Sequence, residues 1–270
     1  MVYGVLRFIN FAHSDVFMVG AFIGYYAGKL VPEGTMWGGL LVLLAAMAGC
    51  ALLGMTIERL AYRPLRGAAT LNVLITAIGV SLLLEYTGQV FFGAAPRTFP
   101  ALFPVRAFDV GGLVLSTNQL AVIVVALLLM VGLQLIVFRT KMGTAMRAVS
   151  QNPKAAQLMG VNNDVVIAFT FALGSALAGA GGILYALNYP SIDPLMGVMP
   201  GLKAFVAAIL GGIGNIPGAA LGGLILGTVE TFVNGSQWST YKDAIAFAVL
   251  IVILLFRPAG LLGKFTVEKV

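Results

Sequence analysis

The chain has 270 residues, of which 60% are hydrophobic and only 10% are charged, with a formal net charge of +6. Its mean hydropathy of +0.99 leaves too little polar surface for a water-soluble globule of this size. Composition therefore excludes an ordinary soluble enzyme and favours an integral membrane protein. The basic residues gather at loops between apolar stretches, which topology explains better than a nucleic-acid partner does.

Long uncharged stretches predict an all-α integral membrane protein, folded as a polytopic transmembrane helix bundle. Several of them approach or exceed the roughly 20 residues that a helix needs to cross a hydrocarbon core. They are too long, and alternate too little, to form barrel strands. The single Cys50 lies within one of these stretches and is expected to be a buried thiol. We predict spans at 9–30, 36–57, 71–92, 119–138, 165–188, 201–233 and 239–257, the sixth being broken or hairpinned.

The basic residues also predict the orientation in the membrane. If segments 58–70 and 139–163 and the C-terminal tail are cytoplasmic, eleven of the 16 Lys and Arg residues lie inside, as the positive-inside rule requires. The first span then begins on the cytoplasmic side, and Met1–Phe8 form a short apolar stub. We therefore expect a single transmembrane domain over 1–270 whose N-terminal helix is truncated.

Polar residues inside predicted spans mark interior surfaces, because a polar group is costly in lipid unless it faces protein or water. The first group, Asn10, His13, Ser14 and Asp15, lies at the start of the first span. Ser14 or Asp15 could accept hydrogen bonds from the first backbone N–H groups of the helix. Helix capping and the lining of a translocation path or gate both remain open for this group.

Two further places interrupt the apolar pattern. Glu85 lies well inside the span that begins at Leu71, so it needs a hydrogen-bonding partner or water, or it lines the path. The sixth span contains a run of glycines and one proline, which weaken a continuous helix. The residues of this break predict either a simple turn or a functional hinge: Gly211, Gly212, Gly214 and Asn215.

Small residues at four-residue spacing predict close helix packing, which drives association in lipid. They occur on one helix at Gly174, Ala178 and Gly182, and on another at Gly218 and Gly222 and at Gly223 and Gly227.

The segment 139–163 is less apolar and predicts two short helices. Asn152 can cap the second helix, Pro153 fits its first position, and Gly160 can end it in the left-handed conformation. Asn163 or Asp164 is expected to cap the next span. This compact segment has no core of its own, so we expect it to dock into another protein. The alternative is an amphipathic element that lies on the bilayer surface.

The sequence contains no recognisable ATP-hydrolysing motif and no recognisable catalytic site. A Walker A loop requires Gly-Lys-Ser/Thr, whereas Lys29 is followed by Leu30 and Lys264 by Phe265. Metal-ligand spacing and a nucleophile paired with a base are also absent from the sequence, which has one histidine. We therefore expect no catalytic, cofactor or metal site, and any ATP hydrolysis must come from partners. An ion-coupled secondary transporter would need paired ionisable residues near the midplane, where only Glu85 fits.

Five stretches together resemble the LivH-type permeases of bacterial branched-chain amino acid ABC importers: Met1–His13, Ile57–Arg66, Gly143–Gly160, Ala207–Gly218 and Arg257–Gly263. The resemblance runs over essentially the whole chain in the family's order, and the stretch around Tyr62-Arg63-Pro64 is specific to this half of the permease pair. Ser14 departs from the family, which commonly has glycine after the histidine.

The resemblance implies a multi-pass subunit of the inner membrane that pairs with a LivM-like permease. Two cytoplasmic ATPases, which use ATP and Mg, would engage a coupling segment within 143–160. A periplasmic binding protein would deliver leucine, isoleucine or valine, although urea and short-chain amide importers use closely similar permeases. The residues of the coupling segment are then Gly143, Arg147, Ala148, Asn152, Pro153, Ala155 and Gly160.

Overall fold

The computed structural model describes residues 10–32, 34–104, 106–110, 113–257 and 259–263. The predicted stub at Met1–Phe8 lies outside these ranges. The described chain forms two compact units, one up to Val198 and one from Met199 onward.

The first unit contains seven helices within the described ranges. They are α1 (His13–Gly28), α2 (Met36–Ile57), α3 (Thr70–Phe92), α4 (Thr117–Arg139), α5 (Lys141–Gln151), α6 (Pro153–Leu158) and α7 (Asn163–Asn188). Helix α2 continues through a π-helical turn, Glu58–Tyr62, and a 3-10 turn, Arg63–Leu65. After α8 (Val198–Gly211), which starts at the boundary, the second unit contains α9 (Ile216–Asn234), a 3-10 turn (Ser239–Tyr241) and α10 (Lys242–Phe256).

The predicted all-α membrane fold is confirmed. Six helices of the described chain are long and apolar enough to cross a membrane. The predicted spans at 36–57, 71–92, 119–138 and 165–188 correspond to α2, α3, α4 and α7, and the sixth span is broken into α8 and α9. The first predicted span is shorter than expected, since α1 has 16 residues.

Helices α1, α2 and α7 form the core of the first unit, and small residues bring their backbones together. A Cβ on Gly20 of α1 would lie 2.4 Å from the Cα of Gly179 on α7. A Cβ on Gly182 would lie 2.2 Å from the carbonyl oxygen of Phe17. The Cys50 thiol of α2 is fully buried beside them and donates to the Val16 carbonyl at 3.4 Å.

The predicted small-residue faces have different outcomes. Gly174, Ala178 and Gly182 are all buried on α7, which confirms that face. On α9, a Cβ on Gly222 would lie 2.1 Å from the Ala207 carbonyl oxygen, so this face packs on α8. No described atom lies within 4 Å of a Cβ at Gly223 or Gly227, so the described chain makes no helix contact through this face, and its packing stays a prediction.

Two small antiparallel pairs of strands were not predicted. Strand β1 (Arg97–Thr98) pairs with β4 (Ser191–Ile192), and β2 (Ala107–Val110) pairs with β3 (Leu113–Ser116). They lie in the connections that follow α3 and α7, where strand pairing satisfies backbone N–H and C=O groups that are not bonded within a helix.

Candidate functional site

The polar group at the start of α1 does not cap the helix, so the capping interpretation is wrong. Ala12 occupies the N-cap position in a helical conformation, and no side chain caps the helix. The N–H groups of His13, Ser14 and Asp15 already donate to the carbonyls of Asn10, Phe11 and Ala12. The Ser14 hydroxyl instead donates to the Phe11 carbonyl at 2.7 Å, so serine is accommodated there within regular helix.

Asp15 lies in a polar contact between α1 and α3. Its side chain is almost completely buried, at 1% exposure. The Ser81 hydroxyl donates to one carboxylate oxygen of Asp15, and the half-buried Glu85 lies near the same carboxyl group. The structure thus brings together two residues that the sequence singled out separately, and it adds Ser81.

Asn10 is tied to the end of α2. The buried Tyr62 hydroxyl donates to its side-chain oxygen at 2.6 Å. The Tyr62 ring also packs against Phe171 of α7, with the ring centroids 5.2 Å apart. The start of α1, the end of α2 and the first half of α7 are therefore connected at one end of the unit, where His13 begins α1.

The predicted pair of short helices in 139–163 is confirmed as α5 and α6. Asn152 caps α6 by accepting from the Ala155 N–H at 3.1 Å, Pro153 is the first helical residue, and Gly160 has a φ of +85°. Gly143 lies so close to α4 that a Cβ would be 2.3 Å from the carbonyl oxygens of Ile136 and Val137. This contact requires glycine where α5 turns back against the end of α4.

The expected cap of α7 is wrong by one residue. Asn162 is the cap, and its side-chain oxygen accepts from the N–H groups of Asp164 and Val165 at 3.0 and 3.3 Å. The Asn163 amide instead donates to the Pro153 carbonyl at 2.9 Å, and Asp164 binds two arginines. Both predicted caps are therefore occupied by contacts with other segments.

The coupling segment has a packed face and an exposed face. Met146, Val149 and Ala156 are buried, whereas Arg147 is exposed and lies over the Phe138 ring, 5.4 Å from its centroid. Leu158 and Met159 at its tip are 88% and 85% exposed, and the sequence analysis missed them. Large apolar side chains this exposed fit a surface that another protein or the bilayer covers.

Four charged residues form a network at this end of the unit. Arg66 contacts Glu58 with one guanidinium nitrogen and Asp164 with the other, and Arg63 contacts the second oxygen of Asp164. Glu58 is 3% exposed. These ion pairs join segment 58–70 to Asp164 in the first turn of α7, directly after segment 139–163, so the two segments are close together in this unit. Sequence reasoning missed the network.

In the second unit, the predicted break in the sixth span is a tight turn. Gly212 and Gly214 have φ values of +102° and +91°, a conformation that favours glycine. Asn215 caps α9 by accepting from the Gly218 N–H at 3.0 Å and donates its amide to the Leu262 carbonyl at 3.0 Å. Gly211 ends α8, and a Cβ there would lie 2.0 Å from the Gly218 carbonyl oxygen. A functional hinge at this turn stays a prediction.

The second unit also contains an ion triad that the sequence analysis missed. Lys203 of α8 lies 2.8 Å from a Glu230 oxygen on α9 and 2.7 Å from an Asp243 oxygen on α10. One cation thereby connects α8, α9 and α10.

These features define a multi-pass helical membrane protein with a broken helix and a compact segment between spans. Residues 1–254 match the family model described as the permease component of branched-chain amino acid transport systems. The chain belongs to this family. It is similar along its full length to BraD of Pseudomonas aeruginosa, at 42% identity over 91% of that protein, and to LivH of Salmonella typhimurium and of Escherichia coli K12, each at 40% identity over 90%.

All three relatives are high-affinity branched-chain amino acid transport permeases by name. No solved structure matches the chain. The family makes this protein a transport subunit rather than an enzyme, and a permease component works together with further subunits of its transport system.

Proposed function

We propose that this chain is one of two permease subunits of an ATP-binding-cassette importer that carries leucine, isoleucine and valine across the inner membrane. The similarity along the whole chain to three permeases of branched-chain amino acid transport carries this proposal. The partners are a LivM-like permease, two cytoplasmic ATPases and a periplasmic binding protein. ATP and Mg bind to the ATPases, and the chain supplies the route through the membrane.

The coupling segment is the proposed contact with an ATPase. Gly143, Asn152, Pro153 and Gly160 shape its two helices. Arg147 and Ala155 are exposed, Ala148 is half-buried beside Arg147, and the apolar tip at Leu158 and Met159 extends the same segment. A surface of this kind can bind the groove of a cytoplasmic partner through apolar contacts at its tip.

The polar contact of Asp15, Ser81 and Glu85 is the proposed part of the translocation path in the first unit. Polar side chains well inside a span are costly in lipid, so they mark an interior surface or a pathway. The remaining path candidates in this unit are Asn10, His13 and Ser14, at the start of α1. In the second unit, the turn that contains Gly211, Gly212, Gly214 and Asn215 is the proposed hinge.

The proposal is tested by reconstituting the subunit with its partner permease, ATPases and candidate binding protein in liposomes. Uptake of leucine, isoleucine, valine and urea is then recorded side by side, with and without ATP. Saturable uptake of the three amino acids that requires ATP supports the proposal. ATP-dependent uptake of urea alone contradicts the cargo, and uptake without ATP contradicts the mechanism.

The path assignment is tested with Glu85→Gln, which keeps the shape and hydrogen-bonding capacity of the side chain but removes its charge. We expect uptake to fall while assembly and ATP hydrolysis are retained. Tyr86→Phe is the matched control, because the neighbouring Tyr86 is 62% exposed. Unchanged uptake in Glu85→Gln would show that Glu85 has a hydrogen-bonding role in the structure and no role in the translocation path.

The docking assignment is tested with Arg147→Glu, which reverses the charge of an exposed residue of the coupling segment. We expect membrane insertion to persist and co-purification of the ATPases to be lost. Lys141→Glu is the control, since Lys141 is also exposed but precedes the block 143–160. Normal ATPase binding and uptake in Arg147→Glu would count against docking through this segment.

A further inference from the structure

The end of α2 departs from α-helical geometry where it meets the start of α7. The π-helical turn Glu58–Tyr62 and the 3-10 turn Arg63–Leu65 change the direction of the side chains that follow. Isolated π-helical turns inside α-helices are frequently found at functional sites. In this protein the turn begins with the buried Glu58 and is followed by the two arginines that contact Asp164.

Arg66 is the central member of this network, because it alone contacts a carboxylate on each side. Its two terminal nitrogens bind Glu58 at the end of α2 and Asp164 in the first turn of α7. A guanidinium group can hold two carboxylates in one plane, whereas an ammonium group lacks this forked geometry. We call the chain of contacts Glu58–Arg66–Asp164 the arginine bridge.

The space beside the arginine bridge is not filled by packed side chains. A cavity of about 850 Å³ separates the segment after α2 from α6 and the start of α7, with Arg66, Gly67 and Thr70 on one side and Pro153, Gln157 and Asn162 on the other. At this cavity, charged groups of Arg66 and Asp164 join the two segments beside the apolar contact of Tyr62 with Phe171. Arg66 and Asp164 retain 25% and 46% side-chain exposure, and partly exposed pairs of this kind add little net stability.

The far end of the bridge continues directly into the coupling segment. Asn163, the neighbour of Asp164, donates to the Pro153 carbonyl of α6 at 2.9 Å, and the Val161 N–H donates to the Ala156 carbonyl at 3.0 Å. The near end continues into the core, because Tyr62 in the same turn binds Asn10 before α1 and packs on Phe171. The bridge is thus part of a continuous set of contacts that runs from α6 to α2 and to the start of α1.

We propose that Arg66 is a positioning residue for transport, which links movement of the coupling segment to the α1–α2–α7 core by holding Glu58 and Asp164 together. The inference rests on the proposed function, in that an ATPase moves the coupling segment. The partly exposed contact of Arg66 with Asp164 can open and close with little change in stability, which a two-state coupling element requires, while Arg66 stays paired with the buried Glu58.

The bridge is tested with three variants in the complete reconstituted complex. Arg66→Lys keeps a positive charge beside the buried Glu58, so folding is preserved, but the bidentate geometry is lost. Asp164→Asn removes the charge at the far end only. Arg63→Gln is the matched control, because it removes the exposed pair with Asp164 and leaves the arginine bridge in place.

We expect Arg66→Lys and Asp164→Asn each to lower leucine uptake per ATP hydrolysed by about tenfold, a size typical of coupling between sites, and Arg63→Gln to lower it less than about twofold. Uptake and ATP hydrolysis that fall in parallel, or an unchanged ratio in both bridge variants, would overturn the proposal. The ratio of leucine uptake to ATP hydrolysis distinguishes lost coupling, which lowers the ratio, from an unstable subunit, which lowers both rates in parallel.

A second readout does not depend on the cargo. Spin labels at Ala68→Cys and Gln157→Cys, two exposed positions that line the cavity, report its width in a Cys50→Ala background. The distance distribution should be narrow in the otherwise unchanged complex and in Arg63→Gln, and broad in Arg66→Lys and Asp164→Asn. Identical distributions in all four overturn the bridge. If the unchanged complex imports none of the three amino acids, the proposed substrates are wrong. The distance distributions still test whether the arginine bridge holds the two segments together.

Discussion

Helices α7 and α4 are of similar length, but α7 lies mostly buried in the first unit and α4 lies mostly exposed. In the most apolar 18-residue window of each, α7 is 61% buried with a mean hydropathy of 1.8, whereas α4 is 6% buried with a mean hydropathy of 3.0. The buried helix is therefore the less apolar one, because glycine and alanine replace large side chains where backbones meet. Of these two helices, the more apolar one faces away from the core.

The largest expected effect comes from adding a side chain to the packed face of α7. In Gly182→Val the new Cβ would lie 2.2 Å from the Phe17 carbonyl oxygen, and backbone atoms cannot move aside as a side chain can. We expect a loss of about 3 kcal/mol or more in stability, measured as the unfolding midpoint in detergent. Gly132→Val on α4 is the control, because a Cβ there meets no described atom within 4 Å. Equal losses of stability in the two variants would contradict the inference that α7 is packed in the core and α4 faces away from it.

A smaller effect is expected from shortening a large apolar side chain on each helix. Ile183 of α7 is 1% exposed, so Ile183→Ala leaves a cavity and should cost about 2–3 kcal/mol. Leu128 of α4 is 66% exposed, and Leu128→Ala should change stability by less than about 0.5 kcal/mol in the isolated subunit. Chemical unfolding of the two variants checks this. A large loss for Leu128→Ala would show that α4 is buried by a contact absent from the described chain.

The smallest effects are expected at the last turn of α4, where Gly143 of α5 packs closely against it. Gly143→Ala would place a Cβ 2.3 Å from two carbonyl oxygens of α4 and should cost about 1–2 kcal/mol. Gly160→Ala meets no described atom within 4 Å but must adopt a φ of +85°, which should cost about 1 kcal/mol. Hydrogen exchange over 141–160 measures both. The opposite ranking would show that backbone conformation outweighs the contact.

The spans and the short helices were predictable because their signals are local. Uncharged length defines the spans, and Asn152, Pro153 and Gly160 each lie at a position that their backbone preferences favour. The break near Gly212 and Gly214 was predictable for the same reason. Local signals failed at Ser14 and Asp15, where preceding carbonyls already satisfy the first N–H groups of α1.

The contacts that matter most for the candidate site could not be predicted, because they join residues far apart in the chain. Ser81 meets Asp15 across 66 residues, and Arg66 meets Asp164 across 98. A polar residue in an apolar span indicates only that it needs a polar partner. Which residue becomes the partner depends on how the helices pack. Gly223 and Gly227 show the converse, since their spacing predicted a contact that the described chain does not make.

The π-helical turn at Glu58–Tyr62 makes the length of this segment as important as its chemistry. Such a turn accommodates one more residue than regular helix does, and one residue corresponds to a rotation of about 100° around the helix axis. Deleting a single residue within it would let the helix run on regularly and would rotate Arg63 and Arg66 away from Asp164. The number of residues in this turn therefore determines whether Arg63 and Arg66 point toward Asp164.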